Sequence, residues 1–143
     1  MERGDSENGP QKDQLIGHEP IFGLLERSFG SGRMVHAYLL TGPKSVGKAT
    51  LARQFAGRLM TDTVTLDTHP DYIYVKRGLD PKNGKTRSII ALDQVHDLRG
   101  KLSRRALLGG WKVCIIDGAQ YMNREASNAL LKTLEAVSYT HLR

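Results

Sequence analysis

The feature that most constrains this chain is a glycine-rich loop ending in lysine, set between a short apolar run and an amphipathic segment. The loop reads Gly42-Pro43-Lys44-Ser45-Val46-Gly47-Lys48 and fits the pattern G-x-x-x-x-G-K. Such a loop wraps phosphate with its backbone N–H groups, and the N-terminus of the next helix adds partial positive charge. The sequence therefore predicts a phosphate-binding loop in which Lys48 serves the β- and γ-phosphates of a nucleotide.

The flanking residues supply the strand before the loop and the helix after it that this motif requires. Ala37–Thr41 is a short apolar run that predicts a buried parallel strand. Beyond the loop, apolar residues recur at helical spacing from Leu51 to Leu59. Two more strands are predicted at Tyr72–Val75 and Lys112–Asp117, and further helices from Glu19 to a Gly30-Ser31-Gly32 stop, over Leu92–Ser103, and around Ala126–Leu134. Alternating strands and helices indicate an α/β fold with a parallel sheet.

The loop departs from the full pattern at its last position. A Ser or Thr normally follows the lysine because its hydroxyl ligates Mg²⁺, but Ala49 follows Lys48 here. Thr50 comes one position later, about 100° further round the helix, so we expect it to point elsewhere. Residues Gly42 to Thr50 are therefore the predicted nucleotide-binding residues. We expect them to hold ATP or ADP weakly, with a degraded Mg²⁺ site.

A second candidate position is the acid that ends the third predicted strand. Asp117 follows an apolar run, as in a Walker B strand, where such a carboxylate holds Mg²⁺ beside the phosphate loop. The alternative is a strand-end acid that caps the next turn. ATPases with this arrangement usually place a water-polarising Glu next, but Gly118 stands there and has no base. Together with Ala49, this predicts an ATPase scaffold that has lost most of its hydrolysis, and we assign no catalytic residue.

Composition limits the class of protein. The 143 residues carry a net charge of +6 and one cysteine, Cys114, which excludes an internal disulfide and a cysteine-built zinc site. Residues 1–14 are polar and predict a flexible lead-in rather than a signal peptide. No apolar run approaches the roughly 20 residues of a membrane helix, and the five histidines show no metal-ligand spacing. A cytoplasmic protein without a metal site is expected.

The excess positive charge is local. Residues 76–112 hold ten basic residues against three acidic ones, a net charge of +7. A basic stretch of this kind favours an anionic partner such as nucleic acid, and an ordinary solvated surface is the alternative. Its densest part is the cationic patch of Arg99, Lys101, Arg104 and Arg105. DNA contact, a subunit interface and plain solvation all remain open for this patch.

Several stretches of the chain carry a family resemblance: Ile16–Glu19, Met34–Pro43, His69–Asp71, Val113–Asp117 and Met122–Glu135. Together they resemble the N-terminal AAA+ domain of the clamp-loader subunits of bacterial DNA polymerase III, over about residues 15–135. The most specific run is Asn128–Glu135. At Ala49 and Gly118 the chain lacks the motif residues of the ATP-hydrolysing gamma/tau subunits. In this it resembles the delta-prime subunit, which is a stator. An active ATPase of the gamma/tau type is the alternative, and a basic nucleic-acid-binding module is a third hypothesis.

The resemblance implies a P-loop NTPase domain with three layers over residues 15–135 and a sheet of five parallel strands, of which three can be placed. We therefore expect a truncated domain. The family continues with Glu-Pro-Pro after the position of Glu135, so residues 136–143 are expected to be a non-native tail. The family's four-cysteine zinc module would fall within Thr61–Pro70, which lacks cysteine, so no zinc is expected.

The resemblance also implies partners and a location. The partners would be gamma/tau and delta subunits and, through the complex, the sliding clamp and primer–template DNA, in the bacterial cytoplasm. This chain would carry no polymerase chemistry and little or no ATPase activity. In the family, the region around His18 packs near the adenine base, although the same residues equally suit a loop that enters a helix.

Overall fold

The computed structural model describes residues 17–60 and 65–141, and only the backbone of residues 137–141. The elements are helix α1 (Glu19–Gly30), helix α2 (Lys48–Leu59), strand β1 (Tyr72–Val75), helix α3 (Leu92–Ser103), strand β2 (Val113–Ile116) and helix α4 (Arg124–His141). Short 3-10 turns at Leu66–Thr68 and Ala119–Tyr121 precede β1 and follow β2. The predicted helices are confirmed. None of the helices described is both long and apolar enough to cross a membrane. The predicted lead-in, residues 1–14, lies outside the described residues.

The two strands form a parallel pair, as predicted. Tyr72 lies opposite Val113, and the register continues to Val75 opposite Ile116. The ladder extends by one bond at its far end, where the N–H of Asp117 donates to the carbonyl of Val75 at 2.8 Å. A parallel pair needs a long crossover connection, and the segment containing α3 supplies it.

Helices cover both faces of the sheet, which gives the three layers that the family resemblance implies. On one face, Tyr72 and Val113 pack against a cluster from α1 and α2 that includes Leu25 and Phe55. On the other face, Val75 and Ile116 pack against Ile90 and against residues of α3 and α4, among them Val95 and Ala126. Alternate strand residues therefore serve opposite cores, as the pleat of a β-strand requires.

The predicted strand at Ala37–Thr41 is wrong for the described structure. These residues belong to no strand, and the described sheet has two strands instead of the expected three. Leu39 is 77% exposed, and Val35 and Tyr38 are exposed as well. The apolar run matched the composition of a buried strand. A strand also needs a neighbour whose backbone groups complete its hydrogen bonds, and within the described residues the run has none.

A buried carboxylate fixes the connection that leads into β2. Asp71 is 1% exposed, and its two oxygens accept the backbone N–H groups of Leu107 and Leu108 at 2.7 and 2.9 Å. Burial alone would raise the pKa of Asp71. The two backbone hydrogen bonds and the charge of Lys112 outweigh it, so the pKa lies below its ordinary value. The carboxylate therefore holds the start of β1 to the loop before β2.

Helix α4 continues through the segment expected to be a tail, since its backbone is helical as far as His141. The origin of residues 136–143 stays a prediction.

Candidate phosphate-binding site

The loop from Gly42 to Gly47 has backbone geometry suited to an anion. Ser45 has φ of +63° and Gly47 has φ of +90°, so two residues with left-handed backbone conformation lie just before α2. Gly47 is the N-cap of α2, a place where this φ favours glycine. No acceptor among the described residues takes the N–H groups of residues 44–47. Successive free N–H groups at the N-terminus of a 12-residue helix form a cradle for phosphate.

Lys48 opens α2 and turns its amine back over this loop. Its Nζ donates to the carbonyl of Gly42 at 2.7 Å and to the carbonyl of Pro43 at 2.6 Å. A lysine ammonium has three N–H donors, so one stays without a partner in the described part of the chain. The predicted phosphate-binding lysine therefore sits at the loop that it would serve.

His18 reaches the loop from another element. It is the N-cap of α1, and its Nε2 contacts the carbonyl of Val46 through a hydrogen bond. The sequence connected His18 with a nucleotide pocket only through family resemblance. The contact joins residues 28 positions apart, which no local spacing could reveal.

The first turn of α2 places the two residues that follow the lysine. Ala49 and Thr50 are both half-buried there, and Ala49 offers no oxygen to a cation. The Thr50 hydroxyl makes no hydrogen bond within the described residues. Across those same residues, no group of three or more His, Cys, Asp or Glu side chains lies where a metal ion could be held.

Asp117 follows β2 directly and already has a donor. The hydroxyl of Tyr74 donates to Asp117 Oδ2 at 2.6 Å. Burial first, and then the hydrogen bond to Asp117, raise the pKa of Tyr74 to about 12, so the phenol stays protonated near neutral pH. With Ala49 in the loop and Tyr74 on Asp117, the donor set does not fit the Mg²⁺ ion of a complete phosphate-loop site.

Sequence reasoning took Tyr74 only as a strand-forming residue and missed this contact. The signal was present in the strand pattern. Tyr74 lies opposite Ile115, and Asp117 is two residues beyond Ile115, directly after β2, so both side chains belong to one face of the sheet. The prediction lacked the register of the two strands, which no local pattern fixes.

Gly118 has a structural reason to be glycine. Its φ is +87°, and it is the N-cap of the short turn Ala119–Tyr121. A Cβ at this position would lie 2.6 Å from Cδ2 of Tyr121. The Tyr121 ring in turn has the guanidinium of Arg77 above it, at 3.9 Å from the ring centre. A water-polarising Glu therefore cannot follow Asp117 without moving Tyr121.

The cationic patch at the end of α3 is exposed and only partly paired. Lys101 forms an ion pair with Asp97 at 2.8 Å. In the part of the chain that the structure describes, no acidic side chain pairs with Arg99, Arg104 or Arg105. The exposed patch is equally compatible with DNA contact, a subunit interface and plain solvation.

Comparison with known proteins identifies a family that matches most of the chain. The family model described as "DNA polymerase III, delta subunit" matches residues 17–138. The delta' subunit of DNA polymerase III from Pseudomonas aeruginosa is 37% identical over 124 residues, covering 76% of this chain and 36% of that protein. The delta' subunit from Haemophilus influenzae is 31% identical, covering 81% of this chain and 38% of that protein.

A tau subunit from Bacillus subtilis is 30% identical, covering 88% of this chain and 24% of that protein. The chain thus spans between 24% and 38% of the length of these relatives. The matched region includes the phosphate loop, both strands and most of α4. The resemblance drawn from the sequence is confirmed: the chain belongs to the delta-prime family of DNA polymerase III clamp-loader subunits.

Proposed function

We propose that this chain acts as a stator of the DNA polymerase III clamp loader, helping to load the sliding clamp on primed DNA without hydrolysing ATP itself. The observation that carries the proposal is a phosphate loop with open backbone N–H groups beside two chemically incomplete positions, Ala49 and Gly118. Such a site binds phosphate but lacks the groups that activate water. The partners would be gamma/tau and delta subunits, in the bacterial cytoplasm.

Nucleotide binding would rest on the loop and Lys48. The backbone N–H groups of residues 44–47 would receive phosphate oxygens, and the helix N-terminus would add its partial charge. Lys48 would turn its free N–H, or one of those now held by Gly42 and Pro43, toward the phosphates. Where a held N–H group turns, its contact with the Gly42 or Pro43 carbonyl would open.

Hydrolysis would fail because no residue can accept a proton from water at the expected place. Gly118 has no side chain, and the amide of Gln120 is not a base. The match to tau subunits keeps an active ATPase of the gamma/tau type as the second candidate. The delta' match at 37% identity and the residues at 49 and 118 favour the stator.

Reconstitution tests the assembly part of the proposal. The full-length protein would be mixed with gamma/tau and delta subunits, the sliding clamp and primed DNA, and clamp loading would be measured with and without it. We expect a stable complex and loading that depends on its presence. Failure to enter the complex, or equal loading without the protein, would overturn the proposed function.

Nucleotide binding is tested separately by titrating the full-length protein with a fluorescent ADP analogue. Lys48→Ala should weaken binding by about 10- to 100-fold, because a charged hydrogen bond contributes about 1.5–3 kcal/mol. Lys44→Ala is the matched control, since Lys44 is an exposed lysine of the same loop. We expect it to change the affinity by less than about threefold. Equal effects of the two substitutions would contradict the role given to Lys48.

A further inference from the structure

Tyr74 and Asp117 meet on the face of the sheet that α2 covers. Residues of β1 and β2 on this face, Tyr72 and Val113, pack against the cluster that includes Phe55 of α2. Tyr74 is two residues beyond Tyr72, and Asp117 is four beyond Val113, so both share that face. Their hydrogen bond therefore lies between the sheet and the helix that begins at the phosphate loop.

The ring of Tyr74 also contacts α2. The guanidinium of Arg53 lies 5.6 Å from the centre of that ring, and its Nη2 is held by Asp67 at 2.7 Å. Arg53 is four residues after Ala49, so the two occupy one face of α2, one turn apart. Tyr74 thus contacts both Asp117 and the face of α2 that carries Ala49, one turn from Ala49 itself.

These contacts have a chemical consequence for the phosphate site. A carboxylate of this kind holds Mg²⁺ through bound water, whose hydrogens point at the carboxylate. The phenol of Tyr74 supplies the same kind of donor at 2.6 Å, but it is neutral and carries no open position for phosphate oxygen.

We propose that Tyr74 is a specificity-determining residue of this site: its hydroxyl occupies Asp117 in place of a Mg²⁺-bound water, and the loop takes nucleoside phosphates free of divalent cation. The inference rests on the proposed nucleotide binding. Phosphate charge is then balanced by Lys48 and by the helix N-terminus rather than by a metal ion. Ala49 is consistent with such a site, because metal-free phosphate needs no hydroxyl ligand there.

The test compares the affinity of the full-length protein for a fluorescent ADP analogue in Mg²⁺ with its affinity in EDTA. We expect the wild-type affinities to agree within about twofold. Ala49→Thr restores the missing hydroxyl but leaves Tyr74 on Asp117, so its affinities should also agree. Ala49→Thr combined with Tyr74→Phe frees the carboxylate and should bind at least about tenfold more tightly in Mg²⁺ than in EDTA.

Tyr72→Phe, combined with Ala49→Thr, is the matched control. It removes a phenol hydroxyl from the same strand face, and that hydroxyl has no hydrogen-bond partner within the described residues. We expect no Mg²⁺ preference from it. Unfolding midpoints of all variants would be compared, since Tyr74→Phe retains the ring that packs against Arg53.

Two results would overturn this inference and leave the proposed nucleotide binding intact. One is a Mg²⁺ preference in wild type or in Ala49→Thr as large as in the double variant with Tyr74→Phe. The other is a double variant that binds nucleotide with no Mg²⁺ preference. If wild type binds no nucleotide under either condition, the nucleotide-binding part of the proposed function fails, and the inference fails with it.

Discussion

Replacing Gly118 by alanine tests the structural reason for the lost water-activating residue. Gly118 has φ of +87°, and an added Cβ would lie 2.6 Å from the Tyr121 ring. The substitution adds one methyl group and no charge. Any loss of stability therefore measures the cost of the left-handed backbone conformation and of the close contact with Tyr121.

The expected magnitude follows from three contributions. A left-handed conformation costs a residue other than glycine about 1–2 kcal/mol. Shifting Tyr121 from under Arg77, now 3.9 Å above the ring, costs about 0.5–1 kcal/mol of cation–π interaction. Alanine also restricts the unfolded chain, which offsets the loss by about 0.4–1 kcal/mol. We expect a net destabilisation of about 1–2 kcal/mol.

Urea denaturation of the full-length protein measures this difference. Gly57→Ala is the matched control, because Gly57 lies in α2 and nothing is within 4 Å of a Cβ added there. In a helix that change should stabilise by about 0.5–1 kcal/mol. The two variants carry the same chemical change and should move the midpoint in opposite directions.

A Gly118→Ala variant as stable as wild type, or more stable, would contradict the role given to the positive φ of Gly118 and to its contact with Tyr121. That role would be supported further if Gly118→Glu lost at least as much stability as Gly118→Ala. The second result would mean that restoring a carboxylate after Asp117 also disturbs the packing of Tyr121.

Three other predictions address residues around the site. Asp71→Asn should lower stability near pH 7 by about 1–3 kcal/mol, because one of the two backbone N–H groups loses a good acceptor. Since the folded pKa of Asp71 lies below its ordinary value, its contribution is complete above that ordinary value and is lost as pH falls through the folded pKa. Between pH 7 and pH 3, the free energy of unfolding should therefore fall less steeply with falling pH in the variant than in wild type. Identical slopes would count against the role of Asp71. Asp117→Asn should lower the pKa of Tyr74 from about 12 toward the ordinary tyrosine value of 10.0, as followed by the ultraviolet absorbance of tyrosinate. An unchanged pKa would show that burial alone raises it. Tyr72→Phe should leave stability unchanged or raise it slightly in denaturant melts, because the lost hydroxyl is buried without a partner among the described residues, and a loss above about 1 kcal/mol would reveal a hydrogen bond there.

The helices and the two paired strands could be predicted because their signals are local. α2 and α3 show helical spacing of apolar residues, and β1 and β2 are short runs rich in β-branched or aromatic residues. The strand expected at Ala37–Thr41 was wrong because composition shows only that a segment could be buried. Whether a partner strand lies beside it depends on distant parts of the fold.

The candidate site shows the same difference between local sequence signals and contacts that depend on distant parts of the fold. The loop residues and Asp117 are predicted from motif spacing and stay a prediction, and Lys48 does lie over the loop. The contacts of Tyr74 and His18 were missed, since they join residues 43 and 28 positions apart. Gly118 was identified as a missing base, but only its positive φ and the nearby Tyr121 give the absence a physical cause.

We propose above that this chain keeps a phosphate loop but does not turn over ATP. The most direct test of this proposal is the steady-state ATPase activity of the full-length protein with Mg²⁺, compared with Lys48→Ala. We expect no turnover above that of the variant, even though wild type binds the fluorescent ADP analogue. Robust Mg²⁺-dependent turnover that Lys48→Ala abolishes would contradict it.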